Sequence, residues 1–217
     1  MEVLNLKCDK KAMLLYAVTD TSWLGNMTLP MQVEEVLKGG ATFLQLREKH
    51  IEDEEFLTEA KEIKALCHKY KVPFVINDNV YVAIACNADG VHVGQEDMKA
   101  LDVRKKIGNN KILGVSVENV EQAILAEKNG ADYIGVGAVF PTSTKLDADY
   151  VSNEELKEIC KAVNIPVVAI GGINANNIMK LTGTGIDGVA VISALFAQED
   201  IKAATENLLR LSKEMVK

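Results

Sequence analysis

Eight short apolar runs, separated by longer amphipathic stretches, set the tightest limit on how this chain can fold. Such alternation is typical of repeated βα units, which build a parallel sheet. The runs are continuously apolar, as expected for strands that are covered on both faces. The predicted strands are Met13–Thr19, Thr42–Arg47, Phe74–Asn77, Gly90–Val93, Ile112–Ser116, Tyr133–Val136, Val167–Ile170 and Gly188–Ile192.

The stretches between the runs carry apolar residues at three- and four-residue spacing, which predicts amphipathic helices. Asn153, followed by the acidic Glu154 and Glu155, is the predicted N-cap of one helix. The predicted helices include Asp53–Tyr70, Val117–Asn129, Asn153–Ala162 and Ala197–Lys213.

Eight βα units within 217 residues predict an α/β fold of the compact (β/α)8 barrel type. We expect a single domain over residues 1–217, with the barrel core at about 13–216. The structural alternative is an open doubly wound sheet. That fold usually has fewer strands, and the glycine-rich segments here follow late strands instead of the first one, where a dinucleotide fingerprint would lie.

Charge and composition exclude several classes of protein. A formal net charge of −7 argues against broad binding to nucleic acid or to anionic membranes. No apolar run reaches the roughly 20 residues that span a bilayer, and an N-terminus with Glu2 and Asp9 does not resemble a signal peptide. We therefore expect a cytoplasmic protein.

The four cysteines lie far apart and form no C-x-x-C pair, which argues against zinc and against disulfides. We expect buried or half-buried thiols, and none is a candidate nucleophile. They are Cys8, Cys67, Cys86 and Cys160.

The second predicted strand ends in the segment Gln45-Leu46-Arg47-Glu48-Lys49. Loops after the carboxyl ends of barrel strands build the active site, so this segment is a candidate part of one. Alternation points Gln45, Arg47 and Lys49 to one side and Leu46 and Glu48 to the other. Arginine and lysine together are a usual means of holding phosphate, although a solvated strand end has the same composition.

Two carboxylates follow neighbouring strands. Asp78 comes directly after the third strand, next to Asn77, and Asp97 follows the fourth. Magnesium is commonly held by one or two carboxylates together with phosphate oxygens of a substrate, so the pair predicts a Mg²⁺ site. The alternative for Asp97 is the N-cap of the next helix. His92, inside the fourth strand, is expected in the packed interior or at its rim, and contact with a ligand is the alternative.

Two later segments indicate phosphate binding. The sixth strand runs into three hydroxyls and a lysine, which together make a good anion cradle, although a simple polar turn is the alternative. The seventh strand ends in Gly171 and Gly172, where backbone amides can approach a phosphate closely, and the eighth ends in Ile192 and Ser193. The residues after the sixth strand are Thr142, Ser143, Thr144 and Lys145.

Taken in order, these motifs resemble the thiamine phosphate synthase family. The resemblance extends from about Leu15 to Phe196. The motifs are Q-L-R-E-K, I-N-D, G-V-H-V-G-Q-E-D-M, G-V-S, A-D-Y-I-G-V-G-x-V-F-P-T-x-T-K, A-I-G-G-I and V-I-S.

The resemblance implies an enzyme that joins a pyrimidine diphosphate to a thiazole phosphate, with Mg²⁺ as cofactor. It implies Asp78 and Asp97 as the magnesium ligands. A catalytic role is implied for Arg47, Lys49, Ser116 and Lys145. The implied contacts to the pyrimidine diphosphate are Gln45, Arg47, Lys49, Asn77, Ser116 and Lys145, and those to the thiazole phosphate are Thr142, Thr144, Gly172, Ile192 and Ser193; Glu48 and Ser143 complete the predicted substrate contacts.

Two positions depart from the family pattern. Glu118 stands near a point where the family often has a histidine, and Asn79 stands where a basic residue is common.

The nearest alternative is the related thiazole tautomerase, whose histidine base would correspond to Glu118. A non-catalytic phosphate-binding barrel is the other alternative, since a fold does not establish turnover. We also expect a homo-oligomer, on base rates for small enzymes.

Overall fold

The computed structural model describes residues 8–49, 51–141 and 150–217. Eight parallel strands form a closed barrel in chain order, and pairing of the first with the last strand excludes the open doubly wound sheet. The predicted strands are confirmed, with ends that differ by at most two residues. The strands are β1 (Leu15–Val18), β2 (Phe43–Leu46), β3 (Phe74–Asn77), β4 (Gly90–Val93), β5 (Ile112–Val117), β6 (Tyr133–Val136), β7 (Val167–Ile170) and β8 (Gly188–Val191).

Helices surround the barrel, and the connection after β7 contains a 3-10 helix, Ile178–Leu181, instead of an α-helix. A second 3-10 helix, Thr21–Trp23, precedes the first α-helix. The α-helices are α1 (Leu29–Lys38), α2 (Asp53–Tyr70), α3 (Val80–Ala85), α4 (Ala100–Ile107), α5 (Val120–Lys128), α6 (Asn153–Ala162), α7 (Ser193–Phe196) and α8 (Ile201–Met215).

Side-chain caps explain where the observed helices differ from the predicted ones. The predicted N-cap Asn153 is wrong: Ser152 caps α6 by accepting a hydrogen bond from the Glu155 amide. The predicted helix at 117–129 starts at Val120 instead, because Asn119 caps it and Val117 belongs to β5. Hydroxyl and carboxamide side chains satisfy amides that have no partner within the helix, so they decide where a helix begins.

Alternation along each strand separates two apolar layers. On β1, Tyr16 and Val18 point into the barrel, whereas Leu15 and Ala17 face the surrounding helices. The inner layer is smaller and holds Met13, Tyr16, Val18, Phe43, Val75, Ile112, Tyr133, Val168 and Ala190. The barrel interior is therefore packed with side chains, and its open space lies at one end.

The amino-terminal ends of the strands are tied together by a repeated contact. The residue just before each even-numbered strand accepts, through its side chain, the amide of a residue at the start of the preceding strand. Its own amide donates to the carbonyl of that same residue. The pairs are Thr42 with Leu15, Asp89 with Phe74, Asp132 with Leu113, and Asp187 with Val167.

The expected thiols are confirmed. Cys67 and Cys86 are buried, Cys8 and Cys160 are half-buried, and all four are free. Burial is the main cause that raises the pKa of each thiol above its ordinary value, which keeps the sulfur protonated. Among residues 8–49, 51–141 and 150–217, no helix combines the length and the apolar composition needed to cross a bilayer.

Candidate active site

A cavity of about 690 Å³ opens at the carboxyl ends of the strands, and each of the eight strands or the loop after it contributes lining residues. Its size is in the usual range for a small-molecule site. The structure brings together ten of the residues predicted from sequence. They are Gln45, Arg47, Lys49, Asn77, Asp78, Asp97, Ser116, Gly172, Ile192 and Ser193.

The cationic side of the cavity is formed at the end of β2. The Arg47 backbone is attached to β1 through Thr19, whose Oγ1 accepts the Arg47 amide at 2.9 Å. The Arg47 guanidinium lies 3.9 Å from the Asp20 carboxylate and is mostly buried. Thr19 and Asp20 thus position the arginine. Sequence reasoning missed both, although Thr19 ends the first apolar run, Asp20 follows it, and the rule applied to other strand ends covers them.

The acidic side of the cavity is formed at the ends of β3 and β4. Asp78 has a φ of 59°, and its amide donates to the carbonyl of His92 at 2.8 Å. This turn aims the Asp78 carboxyl at Asp97, within hydrogen-bonding reach. Burial first, and the adjacent Asp97 second, raise the pKa of Asp78 to about 7, while Asn77 and Arg47 act in the opposite direction.

Asp97 is held by a local turn and does not cap a helix. Its Oδ2 accepts the Gly94 amide at 2.7 Å, whereas α4 begins at Ala100 with Lys99 at the N-cap position. The alternative interpretation of Asp97 as an N-cap is therefore wrong. Its carboxylate remains at the cavity wall.

The two carboxylates suit a divalent cation. Two adjacent carboxyl groups destabilise each other's charged form, and a cation between them would offset that cost. Within the part of the chain that the structure describes, no group of three or more His, Cys, Asp and Glu side chains lies together as a metal site built from protein ligands alone would require. A metal held by Asp78 and Asp97 would need its other ligands from substrate and water, which is the usual arrangement for Mg²⁺.

The opposite wall contains the glycines after β7. Gly171 and Gly172 have φ values of 100° and 66°, which side chains rarely adopt. A Cβ at Gly171 would collide with Ala138, and one at Gly172 with Phe140 and Pro141. The glycines thus let this loop pack against the loop after β6. The carbonyl of Gly172 accepts from Asn174 and Asn177, and its amide has no acceptor among the described residues.

Of the five remaining predicted contacts, the structure describes Glu48 alone. Glu48 points away from the main cavity, as alternation predicts, into a smaller adjacent pocket that it shares with Lys49 and Asp78. Its Oε1 is buried and has no hydrogen-bond partner among the described residues. The other four lie outside the described residues: Thr142, Ser143, Thr144 and Lys145.

Three buried side chains at the floor of the cavity, of which Tyr16 and His92 line it, were not singled out as functional from the sequence. Tyr16, Tyr133 and His92 link Gln45 to Ser116 through hydrogen bonds. His92 is confirmed as an interior residue, with its Nε2 at 2.9 Å from Ser116 Oγ. The available signal was a polar group inside an apolar strand, because a buried tyrosine hydroxyl or imidazole needs a partner.

The two departures from the family pattern have local partners. Asn79 caps α3 by accepting the Val82 amide at 2.9 Å, and its Nδ2 donates to Asp53. Glu118 lines the cavity, and its amide donates to the side chain of Gln122. Asn79 therefore has a structural role that a basic residue would not fill.

Comparisons with known proteins agree with this geometry. Residues 15–195 match the family model described as Thiamine monophosphate synthase. Thiamine-phosphate synthase of Clostridium tetani is 52% identical over 204 residues, which cover 94% of this chain and 95% of that protein. The corresponding protein of Ruminiclostridium cellulolyticum is 54% identical over 197 residues, or 91% of this chain and 94% of its own length.

A solved structure has the same fold. Thiamine phosphate pyrophosphorylase from Pyrococcus furiosus superposes with a TM-score of 0.89 at 41% identity, over 96% of this chain and 99% of that one. The family match covers most of the chain, and the identity to the relatives is about one half. This chain belongs to the thiamine monophosphate synthase family.

Proposed function

We propose that this protein is a thiamine phosphate synthase. In that reaction the ring nitrogen of 4-methyl-5-(2-phosphooxyethyl)thiazole bonds to the methylene carbon of 4-amino-2-methyl-5-(diphosphooxymethyl)pyrimidine. The bond from that carbon to the diphosphate oxygen breaks, and diphosphate leaves with the electron pair. The observation that carries the proposal is one cavity lined by two cations, Arg47 and Lys49, and two adjoining carboxylates, Asp78 and Asp97.

The cations suit the leaving group, which carries several negative charges. Arg47 is mostly buried and held from behind by Asp20, so its guanidinium is already oriented toward an anion. Preorganised charges of this kind stabilise developing negative charge without reorganising during the reaction. Lys49 adds a second positive charge at the same wall, and Gln45, Asn77 and Ser116 supply polar groups around it. No protein nucleophile is required.

Asp78 and Asp97 are the proposed magnesium ligands. Mg²⁺ bound there would act as a Lewis acid that neutralises the diphosphate. The role of the chain is to hold the two carboxylates in place, through the Asp78 backbone contact to His92 and through the Gly94 turn that holds Asp97.

The thiazole phosphate is proposed to bind at the opposite wall, near Gly172, Ile192 and Ser193. The Gly172 amide, which has no acceptor among the described residues, supports anion binding there. The contacts of Thr142, Ser143, Thr144 and Lys145 stay predictions from the resemblance, as does that of Glu48.

The direct test is to mix the protein with both substrates, with and without Mg²⁺, and to measure thiamine phosphate and diphosphate. We expect both products in equal amounts and only with the metal. Asp78→Asn should reduce the rate by at least about a hundredfold, in line with the loss of a major electrostatic contribution. No product from folded protein that still binds thiazole phosphate would favour a non-catalytic binding barrel and overturn the proposal.

A matched control uses an aspartate outside the cavity. Asp102 lies on α4, is largely exposed and pairs with Lys105. Asp102→Asn removes the same charge and should leave the rate within about twofold of the wild type, since such surface pairs contribute little. Proton exchange on a thiazole carboxylate phosphate without Mg²⁺ would instead indicate the tautomerase, although Glu118 replaces the histidine base of that enzyme.

A further inference from the structure

Five polar side chains form one continuous hydrogen-bonded chain across the barrel interior. Gln45 Nε2 lies 2.5 Å from the Tyr16 hydroxyl, which lies 2.8 Å from the Tyr133 hydroxyl. Tyr133 lies 2.9 Å from His92 Nδ1, and His92 Nε2 lies 2.9 Å from Ser116 Oγ. Gln45 and Ser116 at the two ends line the cavity, as do Tyr16 and His92, whereas Tyr133 does not. The three side chains in the middle, Tyr16, Tyr133 and His92, are not needed for the proposed chemistry. This series of hydrogen bonds therefore requires its own explanation.

Because these side chains are buried, the direction of each hydrogen bond can be assigned by matching every donor to an acceptor among them. Tyr133 is fully buried, and Tyr16, Gln45 and His92 are only 1%, 4% and 7% exposed. A hydroxyl proton in such surroundings must be donated to a neighbour within the chain, because an unused buried donor is costly.

The assignment starts at Gln45. Its Nε2 is a donor only, so the oxygen of Tyr16 accepts. The proton of Tyr16 then goes to Tyr133, its other partner among the described residues, and the proton of Tyr133 goes to His92 Nδ1. The opposite direction would leave the Tyr16 proton without an acceptor among the described residues. Nδ1 is thus the acceptor, and a neutral His92 carries its proton on Nε2 and donates it to Ser116 Oγ.

One further observation agrees with a His92 ring that accepts from Tyr133 at this place. Gly114, on the neighbouring strand β5, has no side chain where His92 meets Tyr133. A Cβ at that position would collide with both the Tyr133 hydroxyl and His92 Nδ1. The backbone of β5 therefore leaves room for this particular contact.

We propose that Tyr133 and His92 are positioning residues that hold the Ser116 hydroxyl as a hydrogen-bond donor toward the cavity. The Nε2 proton of His92 occupies a lone pair of Ser116 Oγ, so the hydroxyl proton is directed to an acceptor on the bound pyrimidine diphosphate. The identification of the acceptor as the pyrimidine diphosphate rests on the proposed function. The tautomer of His92 and the direction in which the Ser116 hydroxyl donates do not depend on that function.

The first test uses the full chain without ligand. The protein is labelled with ¹⁵N in its three histidines, and His92→Gln identifies the His92 ring signals. Long-range ¹H–¹⁵N spectra at neutral pH should show a protonated Nε2 and an unprotonated Nδ1. A ring protonated on Nδ1, or on both nitrogens, would overturn the proposal without any variant or activity.

A matched pair of variants then tests the direction of the hydrogen bonds from Tyr16 through Tyr133 to His92. Tyr133→Phe removes the donor to Nδ1 and should give a mixture of tautomers or the Nδ1-protonated form. Tyr16→Phe removes an equivalent hydroxyl from the adjoining ring but leaves the contact between Tyr133 and His92, so the Nε2-protonated form should persist. The same His92 spectrum in both variants would contradict the proposed order of donors.

Kinetics test whether the effect passes through Ser116. Tyr133→Phe should lower kcat/KM for the pyrimidine diphosphate by about tenfold, while KM for the thiazole phosphate stays within about twofold. In a Ser116→Ala background, the same change should have little further effect, because the hydroxyl that it orients is gone. Equal effects in both backgrounds would mean that Tyr133 acts only through stability. If the wild type makes no thiamine phosphate, the proposed function fails, while the spectra still decide the tautomer.

Discussion

The carboxyl group of Glu48 is surrounded by other acids behind the wall of the active site. Burial first, then Glu59, Asp20 and Glu55, raise its pKa to about 7, and only Arg47 acts against them. The buried Oε1 of Glu48 and the buried Oε2 of Glu59 have no hydrogen-bond partner among the described residues. A proton on Glu48 therefore relieves repulsion within this group of acids.

The raised pKa makes stability depend on pH in a defined direction. The folded protein keeps the Glu48 proton between pH 4.5 and about 7, where the unfolded chain has lost it. The stabilising contribution is therefore full below this range and falls as the pH rises through it. Glu48→Gln should raise Tm relative to the wild type at pH 8 and much less at pH 5, as measured by thermal unfolding in a pH series of about that span.

In Glu48→Gln, the decrease of Tm with rising pH should become smaller without vanishing, because burial and neighbouring acids also raise the pKa of Glu59. Glu206→Gln on α8 is the control, since it removes an exposed carboxylate that is not among the acids acting on Glu48. Its difference from the wild type should not change with pH. A constant difference for Glu48→Gln as well would show that its proton is not linked to folding.

At single positions, the sequence was informative where chemistry follows directly from residue type. Asp78 and Asp97 were predicted as a pair, and they lie together because neighbouring parallel strands end at the same edge. The link from Tyr16 through Tyr133 to His92 was not predicted. It joins residues on β1, β6 and β4 across the barrel interior, and sequence spacing does not encode which inward side chains meet there.

At the level of the elements, each even-numbered strand makes the same contact with the strand before it, at the amino-terminal ends of the two strands. The segments A-T-F-L, A-D-G-V, A-D-Y-I and I-D-G-V begin at residues 41, 88, 131 and 186. Each places a short polar side chain against the amide of a residue at the start of the preceding strand. This fourfold pattern is an internal repeat of the sequence, but it does not by itself predict the contact, because each segment alone resembles an ordinary strand start.

Arg104 on α4 connects one of these contacts to the surrounding loops. Its guanidinium donates to the carbonyls of Gly108, Lys111 and Gly130 and to the Asp132 carboxylate. The side chain is only 13% exposed. Because a lysine has three donors and no planar fork, it cannot replace this set of contacts.

Arg104→Lys should therefore lower the free energy of unfolding by about 2 kcal/mol, measured by urea unfolding. The control is Arg210→Lys on α8, whose guanidinium pairs with Glu214 at a site that is 58% exposed. That change should cost less than about 0.5 kcal/mol. Equal losses in the two variants would contradict a specific role for the Arg104 contacts.

For the whole molecule, the predicted closed barrel is confirmed, and with it the end at which the cavity opens. Eight apolar runs were enough to predict the barrel, because strands that are covered on both faces and joined by helices can be arranged in only a few ways. Helix boundaries were less predictable, since caps such as Ser152 and Asn119 compete with nearby polar residues for the same role. The expected homo-oligomer stays a prediction.

Binding at the carboxylate pair should stabilise the whole barrel. A ligand at a hundred times its Kd adds about 2.7 kcal/mol, which corresponds to roughly 5–10 °C in Tm for a protein of this size. Mg²⁺ together with inorganic diphosphate should give such a shift in thermal unfolding, whereas either alone should give much less. Asp78→Asn should lose the shift, although the ligand-free variant should be at least as stable as the wild type because like-charge repulsion with Asp97 is removed. Asp102→Asn should keep the full shift. An equal shift in Asp78→Asn would mean that the metal and diphosphate bind elsewhere on the protein.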